Sequence, residues 1–252
     1  MAIQLASVSA SEIDPLPAAS LPQVSVSQRT DAEAGCALYG GLGLEDRRRL
    51  QSHGAPVERR AGTLVFEEGE DAANIYIVAA GVVQEYKMMP DGRRIITAFH
   101  YPGELVGLTF GARHSCSAEA ATHAVLRRFS RRTLSDFNDR LPGFGQGLLS
   151  HLSDELSAVQ GRQLLLGRKT AVERVASFLL ELSERAARNG DSTTYLWLPM
   201  RREAIADHLG LTLETVSRVF SRLRREHLIS TERNGWIELL DPEALTEIAE
   251  GD

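Results

Sequence analysis

The stretch LGLTLETVSRVFSRLRR, residues 209–225, carries two patterns on one helical period. Val216, Val219, Phe220 and Leu223 recur at the three- and four-residue spacing of an amphipathic helix. Thr212 stands before the apolar run and predicts an N-cap, with Thr215 rather than Glu or Gln three residues on, so no capping box forms. Off the stripe lie Thr212, Glu214, Thr215, Ser217, Arg218, Arg222 and Arg225. Taken alone, Glu214 and Arg218 make an ordinary i,i+4 surface pair, worth about 0.2–0.5 kcal/mol. The flanks argue otherwise. RREAIADHLG before it reads as a short helix buried through Ala204, Ile205 and Leu209 and stopped at Gly210. LISTERNGWIELL after it places Asn234-Gly235 between two strand-like runs, a hairpin signal. Short helix, tight turn, second helix and hairpin together predict a winged helix-turn-helix.

In such a unit the second helix enters the major groove, and its N-terminal residues meet base edges. Glu214, Ser217 and Arg218 share one face by spacing. Arg can pair bidentately with guanine O6 and N7, Glu can accept from the cytosine amino group, and Ser tolerates several partners. These three are the expected base-contacting residues. Thr212, Arg222, Arg224 and Arg225 suit backbone phosphates. The formal net charge of −6 argues against a nucleic-acid partner until its distribution is considered. Residues 201–225 hold six arginines against Glu203, Asp207 and Glu214, whereas residues 238–252 hold six acids and no base. The negative total is partly a tail effect, and a local basic stripe remains.

Upstream the texture changes twice. At 252 residues the chain suits one large domain or two small ones, and 43% hydrophobic content can fill a core. No run approaches the roughly 18 apolar residues that span a bilayer, so no membrane partner is expected. The opening MAIQLASVSASEIDPLPAASLPQVSVSQ lacks a basic start and a compact apolar block, so it does not read as a secretory signal. Its Ala, Ser and Pro bias predicts a disordered tail over 1–33. From about residue 60 to 130, the runs GTLVFEEGE, NIYIVAAG, VVQEYKMM, RRIITAFH and AVLRRFS are rich in β-branched or aromatic residues and punctuated by glycines, an all-β sandwich or barrel pattern. PDGRR, residues 90–94, marks a hairpin.

Then Leu149, Leu152, Leu156, Val159, Gln163 and Leu166 step by alternating threes and fours, the a/d seam of a coiled coil. A homodimer helix over 141–168 is expected, with polar Gln163 setting register; one stripe of an ordinary buried helix is the plainer reading. TAVERVASFLLELSERAARNG predicts a second helix, ended by Asn189-Gly190, and TYLWLPM a short strand. The expected class is α+β: a jelly-roll β-roll of the cyclic-nucleotide-binding type over 34–140, the dimerisation helix over 141–168, and the winged helix-turn-helix over 169–252.

This order resembles the cAMP receptor protein/FNR superfamily of bacterial transcription regulators, over about residues 34–245. RRIITAFHYPGELVGL and LPMRREAIADHLGLTLETVSR resemble its FNR and FixK branch most closely, and the branch's E-x-x-S-R pattern falls on Glu214, Ser217 and Arg218. The resemblance implies a cytoplasmic homodimer on a two-fold DNA site with TTGA-like half-sites. Arg218 would then read the guanine, and RNA polymerase would be a partner of an activator. It further implies low-oxygen or nitrogen-oxide gene control.

The departures bear on the sensor. FNR itself carries an iron–sulfur cluster on three N-terminal cysteines and one in the β-roll. Here only Cys36 lies N-terminally, and the β-roll position falls on Arg127. Two cysteines, Cys36 and Cys116, cannot supply four thiolates. The cyclic-nucleotide branch clamps its phosphate with an Arg-Ser pair, which here falls on Cys116-Ser117, with Arg113 nearby; Gly103, Glu104 and Leu105 of that segment are kept as fold residues. A thiol cannot replace a guanidinium on a phosphate. No cofactor is expected, although haem or a cyclic nucleotide in the β-roll is the alternative. His114, Cys116 and His123 lie close in sequence but lack a fourth ligand, so no metal is expected. Arg113 and His114 beside Cys116 would lower its thiol pKa, which makes Cys116 the candidate redox residue, with Cys36 second. The two lie too far apart for a CxxC site, and a reducing cytoplasm suits them. No P-loop, GxSxG, HExxH or dinucleotide fingerprint is present, so no catalytic residue is expected.

Overall fold

The computed structural model describes residues 42–109, 111–232 and 235–251, without the side chains of Pro142, Leu164 and Leu166. The tail predicted over 1–33, Cys36 and Asn234 therefore lie outside the described residues. Helix α1 (Leu44–His53) precedes eight strands: β1 (Ala55–Arg59), β2 (Leu64–Phe66), β3 (Asn74–Ala80), β4 (Val83–Met88), β5 (Arg94–His100), β6 (Leu105–Val106), β7 (Ser117–Ala120) and β8 (Ala124–Ser130). They form two four-stranded antiparallel sheets, ordered β1-β8-β3-β6 and β2-β7-β4-β5. Val65, Val78, Val83, Ala118 and Leu126 fill the space between the sheets. Each sheet is also covered on its outer face. That is why NIYIVAA of β3 is apolar almost throughout rather than alternating. The predicted hairpin joins β4 to β5: Gly92 takes φ +85°, and Asp91 Oδ1 accepts from the Arg93 N–H at 3.0 Å.

Helices α2 (Arg131–Arg140) and α3 (Pro142–Arg168) follow. At 1.5 Å per residue, α3 is about 40 Å long. It carries two stripes. On one, Leu149, Leu156, Val159 and Gln163 are exposed and Leu152 is half-buried in the single chain. The other, stepping through Phe144, Leu148, His151, Ala158, Arg162 and Leu165, turns towards its own chain. Phe144 and Leu148 join the apolar cluster of Leu50, Ile77, Phe129 and Phe137 beneath the first sheet, and Leu165 packs at the edge of the C-terminal core.

The C-terminal unit consists of α4 (Ala171–Asn189), β9 (Tyr195–Trp197), α5 (Arg202–Leu209), α6 (Leu213–Arg225), β10 (Ile229–Thr231), β11 (Trp236–Leu239) and α7 (Pro242–Glu250). A capping box of Thr170 and Glu173 starts α4, and Gly190 in the left-handed region ends it. Strand β9 joins the wing, giving the sheet order β10-β11-β9. Helix α7 was not read from sequence, because DPEALTEIAE looked like part of an acidic tail. Asp241 Oδ1 caps it by accepting from the Ala244 N–H at 3.0 Å, and Leu245 and Ala249 are buried. The core of this unit extends into the β-roll through Val82, Ile96 and Phe99, so the outer face of the second sheet is a docking face.

Candidate nucleic-acid interface

Helix α6 is placed by what it buries. Val216 and Leu223 are fully enclosed, and Val219 and Phe220 nearly so, against α4 and α5. The turn before it needs Gly210, which sits at φ +62° while the Leu211 N–H returns to the Ala206 carbonyl at 2.9 Å. Thr212 is the N-cap as predicted: its hydroxyl accepts from the Thr215 N–H at 3.2 Å.

The outer face then holds the residues singled out by spacing. Glu214, Ser217, Arg218, Arg222 and Arg225 are all exposed, and Thr215 lies beside them half-buried. An open groove runs along this face, lined by Thr215, Ser217, Arg218, Ser221, Arg222 and Arg225. The surface-pair alternative for Glu214 and Arg218 does not form among the described residues. Arg218 Nη2 instead donates to Thr215 Oγ1 at 3.3 Å. Glu214 is held below the usual carboxylate range by its own backbone N–H, then the Thr212 hydroxyl, with Arg218 a smaller contributor. It is therefore ionised at the helix start. Arg222 pairs with Glu226 at 2.8 Å on the surface, a contact weak enough to exchange for another anion. Arg224 Nη2 reaches Ser221 Oγ at 3.4 Å.

One arginine packed against α6 was missed. The Arg202 guanidinium lies 3.6 Å from the centre of the Phe220 ring, and burial, then neighbouring Arg224, pull its pKa down to about 10. It has no acid partner among the described residues. The available signal was an arginine at the first position of α5.

Cys116 departs from expectation. Arg113 Nη1 donates to the Gly69 carbonyl at 2.6 Å and its other end approaches Asp71, away from the thiol. The His114 ring stacks on Phe66 at 3.7 Å, and burial lowers its pKa, so it is neutral. Burial and the Glu85 carboxylate push the Cys116 thiol up to about 12. A thiol activated by its basic neighbours is corrected to a half-buried, protonated one. Sequence adjacency misled because Arg113 and His114 are drawn to the Gly69 carbonyl, Asp71 and Phe66, while packing brings Glu85 to the thiol. His123 lies apart, 3.7 Å from Glu58. The Arg127 side chain, at the position of the missing cluster cysteine, donates to the Gln51 carbonyl at 3.2 Å and ties β8 to α1.

Residues 173–248 match the family of Crp-like helix-turn-helix domains, and residues 56–140 the cyclic nucleotide-binding domain. The chain is 37% identical to the transcriptional activatory protein AadR of Rhodopseudomonas palustris, over 86% of this chain and 91% of that protein. It is 36% identical to the nitrogen fixation regulation protein FixK of Bradyrhizobium diazoefficiens, over 84% and 90%. Its fold is similar to the solved structure of FixK2 from Bradyrhizobium japonicum, with a TM-score of 0.72, 36% identity, and coverage of 77% of this chain and 96% of that one. The β-roll nevertheless does not fit a cyclic nucleotide. Where the phosphate clamp of that branch falls, Cys116 faces the half-buried Glu85 carboxylate, and the Ser117 hydroxyl accepts from the Glu68 N–H at 2.9 Å. A phosphate there would meet like charge and no guanidinium. The Glu104 carboxylate is taken up by the Tyr101 N–H and by Arg185. The capped, outward polar face of α6, the wing behind it and these relatives lead to one assignment: the chain belongs to the CRP/FNR family of DNA-binding transcription regulators, in its FixK-like branch, and is not an enzyme.

Proposed function

We propose that this protein is a homodimeric transcription activator of low-oxygen or nitrogen-oxide responsive genes, acting in the cytoplasm with RNA polymerase as partner. It binds a palindrome of TTGA-type half-sites. The observation that carries the reading is the outer face of α6, where Arg218 stands exposed beside ionised Glu214 and Ser217 and makes no ion pair with Glu214. Arg218 reads the guanine bidentately, and Glu214 and Ser217 contact neighbouring bases. Thr212, Arg222, Arg224 and Arg225 hold phosphates, and Arg202 gains from a phosphate the anion it lacks. The dimer seam is the heptad stripe of α3, Leu149, Leu152, Leu156, Val159, Gln163 and Leu166, of which Leu149, Leu156, Val159 and Gln163 are exposed in the single chain. AadR is named as an activatory protein and FixK as a nitrogen fixation regulator, which supports the physiological assignment. No helix among the described residues is long and apolar enough to cross a membrane.

The test is fluorescence anisotropy on a TTGA palindrome, a guanine-substituted palindrome and a scrambled duplex. Arg218→Ala should remove about 1–3 kcal/mol of discrimination at the guanine per half-site. Arg225→Ala should weaken all three duplexes alike and flatten the salt dependence. Unaltered discrimination in Arg218→Ala would sink the base assignment.

A further inference from the structure

We propose that Arg185 is a positioning residue that latches the DNA-binding unit to the β-roll and thereby sets the angle of α6. The proposal rests on the reading of a dimer that grips two half-sites. Arg185 belongs to α4, yet most of its bonds lead out of the C-terminal unit. Nη1 donates to the Phe99 carbonyl of β5 at 3.0 Å and to both oxygens of Glu104 at 3.2 Å. Nη2 donates to Glu181 Oε1, on its own helix, at 2.8 Å. The Arg185 side chain is 18% exposed, and its guanidinium sits between the two carboxylates. Glu104 is itself braced, accepting from the Tyr101 N–H at 3.1 Å. A planar fork held by two carboxylates and a carbonyl is directional, which apolar contact is not.

The same seam continues onto α5. The His208 ring bonds the Ile96 carbonyl of β5 through Nδ1 at 3.1 Å and packs between Phe99 and Phe178. Burial, then Arg162, pulls its pKa down to about 4, so the ring is neutral and Nδ1 donates. The Tyr101 hydroxyl reaches Met200 Sδ at 3.3 Å. Helices α4 and α5 carry α6 on their shared core, so the β5 contacts fix α6 relative to the β-roll. On the other side of Arg185 the packing is open. A cleft of about 480 Å³ separates α3 from α4 and α5, lined in part by Arg162, Ser177, Glu181 and His208. With a cleft on one side, directional polar bonds rather than close packing hold the docking angle.

A dimer reads two half-sites only if its two recognition helices stand about one DNA turn, ~34 Å, apart. When both engage, the second binding event is intramolecular, which can strengthen binding by about 10²–10⁴-fold, and this is lost when geometry forbids it. The latch therefore acts on two-site binding and leaves base reading alone.

Full-length protein is titrated with duplexes holding two TTGA half-sites, one half-site with the other scrambled, or none. The ratio of two-site to one-site affinity should fall about tenfold or more in Arg185→Gln and in Glu104→Gln, and no further in the double variant. Discrimination of one half-site against scrambled DNA should match the parent. If Arg185→Gln does not fold, Glu104→Gln decides alone, since it keeps the shape and loses only the charge. A parent-like ratio in Glu104→Gln overturns the latch. If the parent itself prefers neither two sites nor one, the dimeric DNA reading fails instead. The latch is then judged by spin labels at exposed Met88 and Leu240, in a background with Cys36 and Cys116 changed to Ser. A distance distribution that broadens in Glu104→Gln supports it, and one of unchanged width refutes it.

Discussion

At Cys116 burial, and then the Glu85 carboxylate, governs the thiol, although two basic residues precede it in the chain. With a pKa raised to about 12, only a minute thiolate fraction exists at neutral pH, and the thiolate is the reactive form. Alkylation of Cys116 by iodoacetamide at pH 7.5, followed peptide by peptide in a mass spectrometer, should run at least about tenfold slower than for a free cysteine. Peroxide treatment should leave the DNA binding of a Cys36→Ser variant intact. Labelling of Cys116 at the free-thiol rate would contradict the half-buried, protonated thiol. Arg218 lies at the other extreme: it is exposed, it donates to the Thr215 hydroxyl, and its proposed chemistry follows from residue type and spacing.

Helix α3 shows how one element serves two surfaces. Its heptad stripe was legible because leucines at alternating three and four spacing are conspicuous. The second stripe was not, since His151, Ala158 and Arg162 on it are not apolar markers. Leu156 is 59% exposed in the single chain, so changing it costs that chain little packing. Leu156→Glu should weaken the proposed dimer by at least about tenfold, as two like charges meet across the seam, while the circular dichroism spectrum stays unchanged. Sedimentation velocity over a concentration series checks this, and a dimer as tight as the parent's would rule out the seam. Strands β1, β6 and β7 escaped sequence reading for a related reason. SAEA of β7 has none of the β-branched or aromatic residues that mark a strand, and it is held by the sheet on either side of it.

Across the whole molecule, buried charges gather near the join of the two units. His100 is 4% exposed, with Nε2 3.4 Å from Glu85 and Nδ1 3.9 Å from Glu104. Burial disfavours the imidazolium, but Glu85 and then Glu104 outweigh it, and the His100 pKa stands above the ordinary value. Burial likewise disfavours the Glu85 carboxylate, but His100 and hydrogen bonds from the Gly107 N–H and Cys116 leave it below the usual range. A raised histidine contributes stability that is fully present below its unfolded pKa and lost as pH rises through the folded one. A depressed carboxyl contributes stability that is present above its unfolded pKa and lost as pH falls through the folded one. Melting temperature should therefore peak between the two, decline on the alkaline side above the ordinary imidazole range, and decline again in acid. His100→Gln should flatten the alkaline limb, as read by scanning calorimetry across pH 4–10. An alkaline limb identical to the parent's would remove His100 from the account.

The amino-acid order alone marked most local elements of the C-terminal unit and the proposed reading face. Helical spacing, a Thr cap, a glycine at the turn and a hairpin signal each act within a few residues, so the winged helix-turn-helix and the roles of Glu214, Ser217 and Arg218 could be argued without coordinates. It also showed which ligand sets are missing from the β-roll. Only the tertiary structure decided what faces Cys116, where α3 turns its second stripe, and that Arg185 and Glu104, 81 positions apart, share one ion pair. Those facts depend on contacts between distant strands and helices, and the energy of a buried charge is set by the neighbours that packing brings to it rather than by those beside it in the chain.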